Sequence, residues 1–168
     1  VTKGGLLQSR HKLFLVLTAG VLFLDQASKA VVSASLQMHE VRPIIRGLLN
    51  LTLVHNTGVA FGLMAGRVSP ARTFFFLAVA LLAMGVVLWM LLRLPEGQKM
   101  ELVALSLIFG GALGNVIDRI RLGEVVDFID IYYGSYHWPA FNVADSAISI
   151  GVILLLFRLV FQGEKTLG

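Results

Sequence analysis

The stretch "TFFFLAVALLAMGVVLWMLL", Thr73 to Leu92, runs twenty residues without a charge. A helix rising 1.5 Å per residue needs about 20 apolar residues to cross the hydrocarbon core of a bilayer. This segment therefore predicts a transmembrane helix, and it has company. Mean hydropathy is +0.81 over the chain, and only 14% of the 168 residues are charged. A soluble domain carries about 25%. One apolar helix on a soluble body does not give such an average, so the totals predict a small integral membrane protein.

Three further segments fit. "LVALSLIFGGALGNVI", Leu102 to Ile117, is uncharged between Glu101 and Asp118. The first segment is apolar from Leu13 and then admits Asp25, Gln26 and Lys29. The last runs from Ser146 to Phe157, with Asp145 at its mouth. The expectation is an all-α membrane protein of one domain, residues 1–168, with helices near 13–34, 72–93, 101–120 and 143–161. "RLPEGQK", 93–99, makes a tight turn between the second and third. Four spans then put the long connections, 36–71 and 121–141, on one side and the termini with the short turn on the other. In the first connection "LLNLTLV" alternates Leu with Asn50 and Thr52, which suits a half-buried strand.

Sidedness is nearly balanced. The termini-and-turn side carries seven Lys and Arg, and the loop side seven if Lys29 and Arg119 are counted. Setting those two aside as intramembrane groups favours cytoplasmic termini. Lys3, Arg10 and Lys12 before an apolar run resemble the opening of a signal peptide, but the run leads into "LDQASK", and a retained helix is the expectation. "VTKGGLLQS", without an initiating Met, reads as a candidate tag remnant and carries none of the argument. Net charge is +4, yet the basic residues lie at segment ends, where they meet lipid headgroups rather than nucleic acid. No cysteine is present, which excludes disulfides, thiolate nucleophiles and cysteine-based metal sites.

Charges in or near hydrocarbon are costly and mark function. Asp25, Asp118, Asp127 and Asp145 gather toward the loop side. Two carboxylates brought together there share a proton, one acting as base on water while the other donates to a carbonyl oxygen. That chemistry needs neither metal nor serine, and no cofactor is expected. Asp127, Asp118 and Asp130 are all open as partners of Asp145. Each Asp could instead cap a helix or pair with Lys29 or Arg119; Asp145 with Asn142 and Ser146 has the look of a helix N-terminus. Asp25 and Lys29, at i and i+4, either neutralise each other or Lys29 snorkels to the headgroups. Arg119 could offer its fork to a substrate carbonyl or to phosphate. Asn56, Asn115 and Asn142 could orient the aspartates and hold an extended substrate, or cap locally. Gly58 serves turn geometry. Gly110 and Gly114 have the spacing of close helix packing. Ser28 beside Lys29 points about 100° away from it on a helix, so a Ser/Lys dyad is disfavoured. There is no HExxH. A proton- or ion-coupled transporter is the alternative of another class, but no chain of charges crosses to the far side.

"LDQASK" (24–29), "HNTGVAFG" (55–62), "GGALGNVIDR" (110–119), "GEVVDFID" (123–130) and "FNVADS" (141–146) occur in this order. Together they resemble the bacterial lipoprotein signal peptidase family, signal peptidase II, from about Leu13 to Phe161. The resemblance implies a four-helix aspartyl endopeptidase of the bacterial inner membrane with cytoplasmic termini and its active site toward the outer leaflet. It implies an extracytoplasmic β-cradle and a short mobile helix over the site. The implied substrate is a diacylglyceryl-modified prolipoprotein, cut just before the lipidated cysteine. Asp127 and Asp145 map to the catalytic pair. Asn56, Asn115, Asp118, Arg119 and Asn142 map to supporting residues, with Asp25 and Lys29 at the first helix. Inhibition by globomycin, action among membrane lipid and a monomeric state are expected.

Overall fold

In the computed structural model the described residues are 3–58 and 70–162, with side chains from 10 to 58 and from 70 to 161. They form four helices and four strands in the order α1 (Lys3–Ser35), β1 (Val41–Ile45), β2 (Leu49–Asn56), α2 (Pro70–Arg93), α3 (Lys99–Leu122), β3 (Val125–Tyr133), β4 (Tyr136–His137) and α4 (Val143–Gln162). Each helix contains a stretch long and apolar enough to span a membrane: Arg10–Ser35, Pro70–Arg93, Lys99–Leu122 and Val143–Phe161. Large side chains such as Phe23, Phe74, Leu82 and Leu159 point outward and stay exposed, as a lipid-facing surface requires.

α3 is the central helix. Of its most apolar window 61% is buried, against 17–22% for the others, and it packs against α1, α2 and α4. Among the described residues the backbone of α2 comes close to α3 alone, and α1 meets α4 only lightly. In lipid, helices gain little from hiding apolar surface from one another, so close backbone approach carries the packing. Glycines provide it. A Cβ on Gly110 would meet Val21 Cβ at 2.9 Å and Thr18 O at 3.0 Å on α1. One on Gly114 would collide with the Asp25 carboxylate, and one on Gly111 with the Ala144 carbonyl of α4. Toward the short turn, Phe14, Val87, Leu91, Leu102 and Leu105 form an apolar cluster, and Arg158 pairs with the buried Glu101.

At the other end lies an antiparallel sheet in the order β1-β2-β3-β4. "All-α" is therefore too narrow: the fold is four apolar helices plus a small sheet. The sheet docks on α1 and the mouth of α4 through Val32, Leu36, Leu53, Val126, Phe128 and Val143. β2 lies where its alternation predicts a strand, but Asn50 and Thr52 are buried along with Leu53. Asn50 is buried against Asp130, to which it donates at 2.8 Å, and a bulge buries the neighbours Thr52 and Leu53 together: the ladder passes from Leu51↔Ile129 directly to Val54↔Asp127. Two residues of β2 thus oppose one of β3, and the side-chain alternation breaks there. The described parts of the long connections hold no short helix, and residues 59–69 of the first lie outside the described residues.

The glycine contacts predict unequal responses to a single methyl. Gly111→Ala forces α3 from α4 and costs about 1–3 kcal/mol. Gly85→Ala meets nothing within 4 Å and leaves stability unchanged or slightly raised. Thermal unfolding of the two variants in detergent checks this.

Candidate active site

Where α1, α3, α4 and β3 converge, the polar residues of the membrane spans turn inward. Lys29 donates to Asp25 Oδ2 at 2.8 Å and to Asn115 Oδ1 at 3.1 Å, and pairs with Asp118 Oδ2 at 2.7 Å. Asp25, Lys29 and Asp118 are 0%, 3% and 3% exposed, so Lys29 does not snorkel. Charges this deep are tolerable only when every one is paired and hydrogen-bonded. Each carboxylate also serves the backbone. Asp25 Oδ1 accepts the Ala144 N–H at the start of α4 (2.9 Å), and Asp118 Oδ2 accepts the Val126 N–H of β3 (3.2 Å). Gln26, which the sequence did not single out as a site residue, completes the set by donating to Asp118 Oδ1 (3.0 Å), Asp25 Oδ2 (3.1 Å) and the Gly114 carbonyl (3.3 Å).

Asn142, fully buried, is the hub. Its Nδ2 donates to Asp127 Oδ1 at 2.7 Å, to Asn115 Oδ1 at 3.2 Å and to the Val126 carbonyl at 3.2 Å. Its Oδ1 accepts the Asp145 N–H at 2.9 Å, while Asp145 Oδ2 accepts the Asn142 N–H at 3.3 Å. That reciprocal pair is a capping box, with Asn142 as N-cap and Asp145 three residues on. Asp145 Oδ1 is left to face Asn115, whose Nδ2 donates at 2.8 Å. Capping and site membership thus coexist in one carboxylate. Phe141 pairs with Ile129, its carbonyl accepting both the Phe128 (3.0 Å) and Ile129 (2.8 Å) N–H groups. This holds the N-cap segment against β3 beside the bulge.

On the sheet side, Asn56 Nδ2 donates to Asp127 Oδ2 at 2.8 Å and its Oδ1 accepts the Gly58 N–H at 2.9 Å. Gly58 has φ +108°, and a Cβ there would run into the Phe76 ring; both demand glycine. Phe76 of α2 also lies under the Arg119 guanidinium, 5.6 Å away. Arg119 Nη1 donates to the Asn115 carbonyl at 3.3 Å, and its charge is felt at Asp145, Asp127 and Asp118. Phe76 carried no signal in an unbroken apolar run.

Asp127 is buried in β3 between Val126 and Phe128. Burial raises its carboxyl to about 7; the Asp145 charge pushes the same way, while hydrogen bonds from Asn56 and Asn142 and the Lys29 charge pull it down. Asp130 is taken up elsewhere. It accepts from Asn50 Nδ2 at 2.8 Å and contacts His137 Nδ1 at 2.9 Å. Side chains three apart on a strand project to opposite faces, so the structure brings Asp127, and not Asp130, to Asn142 and Asp145. Among the described residues no cluster of His, Asp and Glu has the arrangement of a metal site.

The profile described as signal peptidase (SPase) II matches residues 17–161. The chain belongs to the signal peptidase II family. It is 49% identical over 142 residues to the lipoprotein signal peptidase of Desulforapulum autotrophicum, covering 84% of this chain and 88% of that one. With that of Syntrophus aciditrophicus it shares 46% over 155 residues, 92% and 96% of the two chains. Two solved bacterial membrane enzyme structures superpose with TM-scores of 0.81 and 0.76, each at 32% identity, over 92% and 88% of this chain and 91% and 92% of theirs. Membership makes the chain a protease, and the four apolar helices make it a multi-pass membrane protein.

Lys29→Met removes the cation between two buried carboxylates and should lower stability by about 3–5 kcal/mol. Denaturation in detergent micelles, compared with the exposed control Lys12→Met, tests it.

Proposed function

We propose that this family member is a membrane aspartyl endopeptidase that cuts the signal peptide from diacylglyceryl-modified prolipoproteins, using Asp127 and Asp145 as the catalytic pair. The observation that carries the reading is Asn142, whose side-chain amide donates to Asp127 and whose backbone N–H donates to Asp145, while burial lifts Asp127 to about 7. Two acids so placed hold one proton between them and titrate as a unit.

The reaction follows from that state. Ionised Asp145 takes a proton from a water, whose oxygen attacks the scissile carbonyl carbon; protonated Asp127 donates to the carbonyl oxygen as the tetrahedral intermediate forms. Collapse restores the C=O, breaks the C–N bond and sends the proton on Asp145 to the leaving amine, while Asp127 recovers its own. Asn115, Asn142 and Asn56 hold the carboxylates in place. Asp25, Lys29 and Asp118 fix the helices that carry them, and Gly58 fixes Asn56. Arg119, stacked on Phe76, offers its remaining donors to a substrate carbonyl.

The remaining assignments rest on the family. The whole chain, 1–168, acts as one membrane-embedded peptidase domain in the bacterial inner membrane, a monomer among lipid, with cytoplasmic termini and the sheet toward the outer leaflet. A globomycin-type inhibitor competes with substrate.

Cleavage of a diacylglyceryl-modified prolipoprotein, followed by gel shift in detergent, tests the pair. Asp127→Asn and Asp145→Asn should each lose at least about 100-fold in rate with substrate binding kept, since one proton-transfer group contributes roughly 10²–10⁴. Asp130→Asn should stay within about tenfold, because it sits outside the proton path. Full activity in the first two variants would sink the assignment.

The pH profile supplies a second test. Below about 7 Asp127 holds its proton, and as pH rises through that value the pair loses it. kcat/KM should therefore fall on the alkaline side, and Asn56→Ala, which removes a bond favouring the carboxylate, should move that limb to higher pH. An unmoved limb would assign it to another group.

A further inference from the structure

Away from the catalytic residues, the outer end of the sheet carries a cavity of about 310 Å³ walled by Leu48, Ile131, Tyr133, Tyr136, Trp138 and Phe141. Its framework is fixed. Trp138 N–H donates to the Ile131 carbonyl (2.8 Å), Tyr132 N–H to Leu48 O (2.9 Å), and the Gly47 N–H to the Tyr132 hydroxyl (2.7 Å). Its mouth is open: Tyr133, Tyr136, Trp138 and Leu48 are 85%, 64%, 53% and 51% exposed. Ile44 and Ile45 of β1 are exposed as well. A patch of this kind bared to water is a liability, and its persistence marks a binding surface.

We propose that this aromatic cavity is a lipid-docking site, seated in the headgroup region of the leaflet on the sheet side and receiving the upper part of a phospholipid acyl chain. Three observations select lipid. First, the patch is continuous with the spans: Phe141, one wall, is two residues ahead of α4 and pairs with Ile129. Second, Tyr and Trp are the residues that settle where apolar core meets headgroup, ring inward and polar atom toward water. Third, the charge fits phosphate. Arg42, His55 and His137 are matched by Glu40, Glu124 and Asp130, which among the described residues leaves the exposed Arg46, beside Ile45, as the cation turned outward at this end of the sheet. Basic side chains at an interface attract phosphate and anionic headgroups.

The consequence is mechanical. β3 carries Asp127 at one end and the aromatic cavity at the other, so lipid held there ties the height of the catalytic strand to the membrane surface. This docking does not depend on the peptidase assignment.

The chain contains only two tryptophans, Trp89 and Trp138, which allows a direct test. The protein is placed one copy per nanodisc in phosphatidylcholine with phosphatidylglycerol, the acyl chains brominated either near the carbonyl end or near the methyl end. Trp89→Phe isolates Trp138, and the difference between unsubstituted protein and Trp138→Phe isolates it again without touching Trp89. The expected result is loss of Trp138 emission with bromine near the carbonyl end, less loss with bromine near the methyl end, and shielding from aqueous acrylamide. Free quenching by acrylamide with no effect of bromine overturns the proposal. So does shielding that appears only when prolipoprotein is added, which would make the occupant substrate, or only with two copies per disc, which would make it a second chain.

Discussion

Lys29 held between Asp25 and Asp118 is the interaction on which the rest of the structure depends. Its three charges come from α1 and α3, and through the Ala144 and Val126 N–H groups they reach α4 and β3. Removing one partner leaves the others charged and buried, at a cost of several kcal/mol, so the set is held all together or not at all. It also dictates backbone spacing. Asp25 reaches α4 only because Gly114 puts no side chain in its way, which gives the small-residue pair on α3 an electrostatic purpose beyond packing.

Given that frame, a demand of helix structure creates the site. The first N–H groups of α4 have no partners within the helix, and leaving them bare in apolar surroundings is expensive. Asp25 serves Ala144, and Asn142 serves Asp145 and Ser146 through its side chain and its carbonyl. The second half of that capping box fixes one oxygen of Asp145 and turns the other toward Asn115. The side-chain amide of Asn142 reaches Asp127, so local capping brings two carboxylates from different elements to one residue.

Much of this was legible in the sequence, for a physical reason. Hydropathy reports helices that face lipid, and charge in such a helix reports cost, so four spans and the inward Asp25, Lys29, Asp118 and Arg119 stood out. The partner of Asp145 was ambiguous because residues 121–141 read as a connection. Once 125–133 is a strand, its period of two separates Asp127 from Asp130 without further evidence. The burial of Asn50 was hidden because it depends on a cross-strand bond to Asp130, and that of Thr52 beside Leu53 because the bulge there has no signature in the sequence. Gln26 and Phe76 act only through contacts with other helices, and no spacing within one element could reveal them.

The proposed division of labour between the two carboxylates rests on where each stands. Asp145 lies in the first turn of α4, where the helix's positive end favours negative charge, and two donors point at it. Asp127 also receives two amide donors, but its flanking residues are Val126 and Phe128, and burial outweighs those bonds enough to hold its carboxyl near 7. The cations cannot reverse this. Lys29 is already engaged by Asp25 and Asp118, and Arg119 is shared among Asp118, Asp127 and Asp145. Four carboxyls face two cations, so the cheapest relief is a proton. The proposed assignment, with the proton on Asp127 and Asp145 as the base, places it on the acid that the helix end does not help.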